Sequence, residues 1–387
     1  MSKSKCISPC PIAKKCGACQ LSNMDYERQL AFKQASVVKL LKAYGRVGEI
    51  IGMSDPYHYR NKAQFAVRKA SNGRIITGIY QSSTDGIVVT DSCMLNDPKA
   101  NEIARYIRSL MEELLIEPYH PRKRLGVLRH ILIRSTESEY MVTLVCSSVK
   151  LNKKEQLAEK ICLKFPEVST VTLNVNTNKK MMLGSEEQIL NGCGYIEDVI
   201  CGKRFRISPR SFLQINHKQT EVLYKTAIDF AKLTGGEKIL DAYCGTGTIG
   251  ICAAEKAGSL VGVEINEQAI ADARINADLN GVINASFYAA DAAKFMQSCD
   301  ESFDVVFTDP PRAGCSREFL TSLVRHSPKK IVYISCNPET LARDLYFLTS
   351  NGYKVRKMQP VDIFPHTKHI ETVVSMTHNY TGTAKKE

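Results

Sequence analysis

The pattern of apolar and polar positions changes near Phe205. Beyond that residue, short apolar runs alternate with stretches whose apolar residues recur at helical spacing, which is typical of parallel strands joined by helices. The predicted strands cover 238–242, 260–265, 285–288, 305–308 and 331–335, and the predicted helices start at Gly247 and cover 267–279, 317–326 and 339–350. Two more strands, 354–360 and 370–377, follow without an intervening helix. The predicted fold class is α/β, a doubly wound parallel sheet with a terminal antiparallel hairpin.

The region before Phe205 has helices and strands in irregular order and no internal repeat. Asn-Gly and Asp-Gly pairs separate its first short strands, as they do in hairpins. The predicted helices cover 25–41, 98–115 and 153–163, and the predicted strands cover 62–67, 75–80, 87–89, 131–134, 140–145 and 171–176. We predict an α+β central domain here.

Charge and cysteine content restrict the class of protein. Lys and Arg number 52 against 40 Asp and Glu, and the formal net charge of +12 favours a polyanion such as nucleic acid, although a solvated basic surface gives the same count. Nothing resembles a signal peptide or a membrane span, so we expect a cytoplasmic protein. In that reducing compartment the 14 cysteines favour metal binding, catalysis and buried packing over disulfides.

A glycine turn follows the first strand of the α/β region, and its missing side chains allow a cofactor to approach the backbone of Gly245 and Gly247. Glu264 closes the next strand, where an acid can bind ribose hydroxyls, and Asp291 after the third strand suits an adenine edge. Without a Lys or Arg for a pyrophosphate, the turn favours S-adenosylmethionine over a dinucleotide. A doubly wound sheet with a terminal hairpin is also the architecture of class I methyltransferases. An unliganded packing turn is the alternative interpretation.

Three side chains with reactive chemistry are expected at the carboxyl edge of the same sheet. Cys336 follows the strand 331–335, Asp309-Pro310-Pro311-Arg312 follows the strand 305–308, and Glu371 opens the last strand. Amino-group methyltransferases carry Asp/Asn-Pro-Pro at this turn, followed by an aromatic residue that stacks on the base. Arg312 occupies that fourth position here, which weakens an amino-methyltransferase interpretation.

A thiol beside an acid suits methylation at carbon 5 of uracil. That carbon is too weak a nucleophile unless a thiolate first adds at carbon 6, a step that Cys336 can perform. A base must then remove the proton from carbon 5, with Glu371 as the candidate and His366 and His369 as rivals. A buried cysteine at a strand end and a solvated carboxylate are the alternatives that require no catalysis.

These motifs together resemble the RNA uracil-5-methyltransferase family over nearly the whole chain. The resemblance rests on Ser211-Phe212-Leu213-Gln214-Ile215-Asn216, the glycine turn, Asp309 to Arg312, Ser335-Cys336-Asn337-Pro338 and Pro365 to Glu371. It implies Cys336 as nucleophile and Glu371 as proton acceptor, with Asp309 and Arg312 arranging the base. The implied cofactor contacts are Gln214, Tyr243, Gly245, Glu264, Asp291 and Asp309, and Thr248, which stands where members often carry asparagine.

Four cysteines form a separate motif, Cys10-x5-Cys16-x2-Cys19 with Cys93 far downstream, and Cys6 is a spare that could substitute for Cys10. Four thiolates suit a tetrahedral zinc or a 4Fe-4S cluster, and the spacing alone does not choose between them. The resemblance implies a 4Fe-4S cluster, because many members directed at ribosomal RNA carry a similar Cys-Pro-x4-Cys-Gly-x-Cys-Gln pattern. The Cys-x3-Cys-x2-Cys motif of radical enzymes is not matched.

The resemblance also implies the substrate and the organisation of the chain. We expect methylation of a uridine in 23S ribosomal RNA, with the transfer-RNA T-loop as alternative, and a non-catalytic RNA-binding or ribosome assembly factor as the alternative from another class. Some members begin with a small β-barrel RNA-binding domain, which we do not expect before the cysteines here. The predicted parts are 1–97 for the cluster segment, 98–204 with 57–97 for RNA binding, 205–380 for the methyltransferase domain and 381–387 for a disordered tail.

Basic residues near aromatic ones are the predicted RNA backbone contacts of the central region. The candidates are Tyr57-His58-Tyr59-Arg60-Asn61-Lys62, Arg122-Lys123-Arg124 and Arg129-His130. Ordinary solvated surface is the alternative for each.

Overall fold

A computed structural model describes residues 8–82, 84, 86–178 and 181–378, so Cys6, Asp85 and the predicted tail 381–387 lie outside the described residues. The helices are α1 Ala13–Cys16, α2 Tyr26–Leu41, α3 Pro98–Glu113, α4 Lys154–Lys164, α5 His217–Ala231, α6 Thr248–Ala253, α7 Glu267–Leu279, α8 Ala292–Ser298, α9 Arg317–His326 and α10 Pro338–Ser350. The strands are β1 Lys62–Lys69, β2 Ile75–Tyr80, β3 Ile87–Val89, β4 Leu128–Ser135, β5 Tyr140–Cys146, β6 Val168–Val175, β7 Glu186–Asn191, β8 Ile196–Ile200, β9 Lys203–Ile207, β10 Lys238–Ala242, β11 Ser259–Glu264, β12 Ala285–Ala289, β13 Val305–Thr308, β14 Lys330–Ser335, β15 Tyr353–Val361 and β16 Glu371–His378. None of the described helices combines the length and hydropathy that a bilayer crossing requires.

The chain forms two compact units. The first comprises 1–25, 55–198 and 206–217, and the second comprises 26–54, 199–205 and 218–387. This division differs from the predicted parts, because α2 belongs to the unit that contains the parallel sheet. Sequence order gave no sign of this, since the Asp362 carboxylate that Tyr26 and Lys33 of α2 contact lies more than 300 positions downstream.

The first unit contains a seven-stranded sheet in the order β3-β2-β1-β4-β5-β6-β7. Neighbouring strands are antiparallel except β5 and β6, which are parallel and are connected by α4. The Asp97 carboxylate caps α3 by accepting the N–H groups of Lys99 and Ala100 at 2.8 and 3.1 Å. Helices α3 and α4 pack their apolar faces against β1, β4, β5 and β6 in one core.

The second unit contains the predicted doubly wound sheet, in the order β12-β11-β10-β13-β14-β16-β15. Strands β10 to β14 are mutually parallel, while β16 is inserted antiparallel between β14 and β15. The central strands are continuous apolar runs because helices cover both faces, and every residue from Val305 to Thr308 is buried. The prediction of a class I methyltransferase sheet with a terminal antiparallel hairpin is confirmed.

The structure also contains elements that the sequence reading did not predict. Helix α5 was missed although Leu223, Ala227 and Ala231 are buried at the four-residue spacing of a helix face. Helix α8 is only 7 residues long, and β7 alternates exposed and half-buried positions without an apolar run. The β8–β9 hairpin, a separate two-stranded sheet, was also missed.

Candidate active site

Strand ends place the reactive residues along one edge of the second unit's sheet. Asp309 follows β13 directly and Cys336 follows β14, so both leave the sheet at the carboxyl ends of parallel strands. Strand β16 runs the opposite way and begins at that edge with Glu371. Because Ser335 pairs with Thr372, the next positions along the register are Cys336 and Glu371. Asp309, Cys336 and Glu371, which span 62 positions of the sequence, thus lie at the same edge of the sheet.

The glycine turn after β10 has the backbone conformation that the motif predicts. Gly245 has φ +55°, and a Cβ on it would meet no atom within 4 Å, so open space lies beside the backbone. Tyr243 has φ +65°, an uncommon conformation for a residue with a side chain, and its ring packs edge-on against Phe319 at 5.3 Å. This strained turn with free space beside it is suited to a ligand that lies against the backbone.

Two buried side chains, Asp241 and Thr248, lie next to the glycine turn. The Asp241 carboxylate accepts the Gly250 N–H at 2.8 Å through Oδ2, which fixes the start of α6, while Oδ1 has no partner among the described residues. Burial raises the pKa of Asp241 to about 7 despite that hydrogen bond. Thr248 is buried at the start of α6, and its hydroxyl lies 3.5 Å from the Tyr224 hydroxyl.

The acids expected at the ends of β11 and β12 lie on the more open part of the edge. Glu264 is half-buried and accepts the Asn266 N–H at 3.0 Å. Asp291 is exposed and caps α8 by accepting the Lys294 N–H at 3.0 Å. Each carboxylate therefore keeps accepting capacity for a ligand beyond its local role.

The Cys336 thiol is half-buried and surrounded by groups of both charges. Burial and, after it, the carboxylates of Glu371 and Asp309 raise its pKa to about 11, although Arg312 acts in the opposite direction. The thiol is therefore protonated at neutral pH in the protein without substrate. Its activation requires a change in charge or solvation that a bound ligand brings.

The two carboxyl groups beside the thiol share a low-polarity environment. Glu371 is 2% exposed, and its Oε2 atom has no hydrogen-bond partner in the part of the chain that the structure describes. Burial raises the pKa of Glu371 well above its usual range, and Asp309 adds to that effect. Burial also raises the pKa of Asp309, to about 7. An unpartnered buried acceptor beside a thiol is costly unless a ligand uses it.

The turn that follows Asp309 is hydrogen-bonded to the segment that carries the thiol. The Arg312 carbonyl accepts from the Asn337 side-chain amide and from the Thr340 hydroxyl, both at 3.3 Å. Asn337 in turn caps α10 by accepting the Glu339 N–H at 3.1 Å. The exposed Arg312 side chain is thus anchored through its backbone next to Cys336 while its guanidinium remains available to a ligand.

Comparison with known proteins identifies the family. A family model described as tRNA (Uracil-5-)-methyltransferase matches residues 25–379. The chain belongs to this family of uracil-5-methyltransferases. An RNA methyltransferase of uncharacterised function from Halalkalibacterium halodurans is 41% identical over 383 residues, 96% of this chain and 83% of that protein. A relative from Clostridium tetani, also named an uncharacterised RNA methyltransferase, is 40% identical over 395 residues, 100% of this chain and 85% of that protein.

A solved structure supports the same assignment. The crystal structure of Pyrococcus abyssi tRNA (uracil-54, C5)-methyltransferase in complex with S-adenosyl-L-homocysteine matches with a TM-score of 0.78 and 29% identity, and covers 94% of this chain and 86% of that one. The resemblance to the RNA uracil-5-methyltransferase family is therefore confirmed, as are RNA as substrate class and S-adenosylmethionine as methyl donor.

In this uracil-5-methyltransferase, helix α2 supports the segment that leads to Glu371. The buried Lys33 ammonium lies 2.6 Å from the Asp362 carboxylate and donates to the Phe364 carbonyl at 3.0 Å. The Tyr26 hydroxyl donates to the same carboxylate at 3.0 Å. Sequence reasoning missed this pair, although a lysine on the buried face of α2 was a usable signal.

The two histidines considered as alternative bases differ in their surroundings. His366 is buried, and its N–H donates to Gln29 Oε1 at 2.8 Å, which gives it a structural contact with α2. His369 is half-buried, and burial lowers its pKa, as do the neighbouring cations Arg312 and Lys33. Both histidines lie before the start of β16, whereas Glu371 is the position opposite Cys336 when the β14–β16 register is continued.

The other predicted residues lie in the first unit. Gln214 is buried there, and its carbonyl accepts the Asn61 side-chain amide at 3.0 Å, so its cofactor contact stays a prediction. The four cysteines of the predicted metal site line one cavity of about 270 Å³. They are Cys10, Cys16, Cys19 and Cys93.

The cysteine cavity also receives basic residues that we expected to contact RNA. Arg60, Lys62 and His130 line it, and Arg60 opposes the rise that burial causes in the pKa of Cys19, to about 11. No three or more His, Cys, Asp or Glu side chains in the described ranges are arranged to hold a single metal ion. The four thiols share this cavity with the cationic side chains of Arg60 and Lys62.

Proposed function

We propose that this protein methylates carbon 5 of a specific uridine in 23S ribosomal RNA, with S-adenosylmethionine as methyl donor. The observation that carries the proposal is the register that brings Cys336 together with the buried Glu371, whose Oε2 atom has no partner among the described residues, at the carboxyl edge of a methyltransferase sheet. Binding alone would not require a thiol beside an unpartnered buried acid. This disfavours the alternative of a non-catalytic RNA-binding or ribosome assembly factor.

The reaction at these residues comprises addition of the thiol, methyl transfer and elimination of the thiol. The half-buried Cys336 thiol gives its proton to water, and its sulfur bonds to uracil carbon 6 while the electrons of the C5–C6 double bond shift towards carbon 5. Bound S-adenosylmethionine would supply the methyl group to carbon 5, and its sulfonium sulfur would keep the electrons of the broken carbon–sulfur bond. Glu371 takes the proton from carbon 5, the double bond forms again, and the bond to Cys336 breaks with its electrons returning to sulfur.

The electrostatic surroundings suit these roles. When it is ionised, a buried carboxylate with a raised pKa is a stronger base than an exposed one, which helps Glu371 to remove a carbon-bound proton. Arg312 lowers the pKa of Cys336 and so stabilises the thiolate at the moment of attack. We propose that Asp309 and Arg312 position the target base. The glycine turn, Glu264 and Asp291 bind the methyl donor.

The cysteine cavity supports ribosomal RNA as the substrate. Cys10, Cys16, Cys19 and Cys93 would hold a 4Fe-4S cluster, a feature of ribosomal-RNA-directed members of the family, and that cluster would supply structural support or RNA orientation. Their position on one cavity together with Arg60 and Lys62 supports an anionic group there. Anaerobically purified protein should contain iron and absorb broadly near 400 nm, and zinc without iron would contradict the cluster.

Methylation of the transfer-RNA T-loop is the second candidate. The match to a tRNA (uracil-54, C5)-methyltransferase from Pyrococcus abyssi favours it. The target base must leave its stack in either RNA, so an exposed loop is the expected substrate. We also propose that the protein is cytoplasmic, because both RNAs occur in the cytoplasm.

Mapping of 5-methyluridine by mass spectrometry, in ribosomal and transfer RNA from cells with and without the gene, tests the substrate. A site in 23S RNA should disappear with the gene and return with the intact protein, but not with a Cys336→Ala variant. Cys299→Ala, a half-buried cysteine of the same unit, is the matched control and should restore the site. Loss of a transfer-RNA site instead would support the second candidate, and a fully active Cys336→Ala variant would refute covalent catalysis.

A further inference from the structure

The first unit contains a second concave surface, separate from the cysteine cavity in its lining. It is a cavity of about 330 Å³ between strand β1 and the segment that follows Pro118. Three cationic side chains line it, Arg68, Lys69 and Arg122, together with the rings of Tyr119 and His120. We propose that this basic cavity binds a backbone phosphate of the substrate RNA.

The loop that forms one wall is held by its own hydrogen bonds. The His120 N–H donates to the Leu125 carbonyl at 2.7 Å, and the Arg124 N–H donates to the His120 carbonyl at 2.8 Å. Gly126 has φ +73°, and a Cβ on it would lie 2.1 Å from the Pro118 oxygen, so only glycine fits where the loop returns to β4. A loop fixed in this way presents Arg122 with little ordering cost on binding.

Arg68 is oriented in advance for a ligand. Its guanidinium donates to the Val67 carbonyl at 2.8 Å and to the Tyr80 hydroxyl at 3.0 Å, and Tyr80 is in turn held by His130 at 3.0 Å. These two bonds use two of the five N–H donors of a guanidinium. The remaining donors form a planar fork, which is the geometry that binds phosphate oxygens.

Charge in the cavity is incompletely balanced. Lys69 pairs with Glu117 at 2.7 Å, but both side chains are about half exposed, at 46% and 59%, so water screens this pair. Arg122 forms no hydrogen bond or ion pair with any described residue, and Arg68 has no acidic partner there. Three cations against one carboxylate favour an anion. Because the protein is an RNA methyltransferase, the anion is assigned to the RNA backbone.

The inference rests on RNA as substrate but not on which uridine is methylated. The test variants are Arg122→Gln and Arg68→Gln, and Arg74→Gln at the exposed turn before β2 is the charge-matched control outside the cavity. A labelled oligouridylate is the binding probe, titrated at several salt concentrations. Each cavity variant should bind roughly threefold to tenfold more weakly, and the slope of log K against log salt should fall by about 0.7 to 1.

Methylation kinetics separate binding from catalysis. With ribosomal RNA as substrate, the cavity variants should raise KM by the same factor and leave kcat unchanged. Unchanged affinity and salt slope in Arg122→Gln, which lies on the exposed loop, would overturn the proposal. An equal loss in Arg74→Gln would also overturn it, since surface charge in general would then explain binding. If the cavity variants lose affinity for oligouridylate as expected but the wild-type protein methylates no RNA, the proposed reaction fails and the assignment of the cavity stands.

Discussion

Replacement of Glu371 by glutamine should stop the reaction after methyl transfer and before release of the RNA. The two side chains have nearly the same shape and volume, so the fold should tolerate the change although the site is only 2% exposed. An amide cannot accept the proton from carbon 5. The methylated base should therefore stay bonded to Cys336.

The expected magnitudes follow from the surroundings of the thiol. General base catalysis is worth roughly 10² to 10⁴ in rate, so turnover should fall within that range. The Glu371 carboxylate is the first charge that raises the pKa of Cys336, after burial itself. With that charge removed, the thiolate becomes more accessible, and adduct formation should shift to lower pH than in the wild-type protein.

A denaturing gel with labelled RNA and donor measures the adduct directly. We expect a stoichiometric protein–RNA band in Glu371→Gln and none in the double variant that also has Cys336→Ala. Release of methylated RNA by Glu371→Gln at the wild-type rate, with no band, would refute the assignment of Glu371 as proton acceptor. An adduct in Cys336→Ala would refute the assignment of the nucleophile.

Three more predictions concern stability and the metal site. Lys33→Met should destabilise the second unit by about 3–5 kcal/mol in chemical denaturation, because it leaves Asp362 buried without its cation, and Asp362→Asn in the same chain should restore part of the loss. In the folded protein the pKa of Asp309 is about 7, against an ordinary value of 3.8, so the wild-type protein should lose stability as the pH rises from about 4 to about 7. Asp309→Asn has no such carboxyl group, so its Tm relative to that of the wild type should rise across this pH range. Cys19→Ser should lose bound iron, as measured by metal analysis, whereas an unchanged iron content would contradict its role as a ligand.

Local signals in the sequence were sufficient for the sheet of the second unit. Apolar runs at 238–242, 305–308 and 331–335 were predicted as strands and are strands β10, β13 and β14 within one or two residues. Residues that directly follow parallel strands share one edge, so the expected placement of Asp309 and Cys336 required only the strand ends and the direction of the chain. The family resemblance added the roles of these residues.

Contacts between residues that are far apart in the sequence could not be predicted from local patterns. Nothing in the spacing of α2 indicated that Lys33 would meet Asp362, 329 residues away, or that the helix would join the second unit. The basic residues Arg60 and His130 had the composition of an RNA contact, yet they line the cysteine cavity. Composition reports which charges a segment carries and not which way each side chain faces.

The sequence by itself therefore determined the fold class, the order of the elements and the identity of the reactive groups, because periodicity and strand-end position are local properties of the chain. Only the tertiary structure decided that Glu371 is buried beside a half-buried Cys336, with its Oε2 atom unpartnered among the described residues. Burial and the pKa values that follow from it depend on atoms that distant segments contribute. The chemistry of the site is for that reason a property of the folded chain.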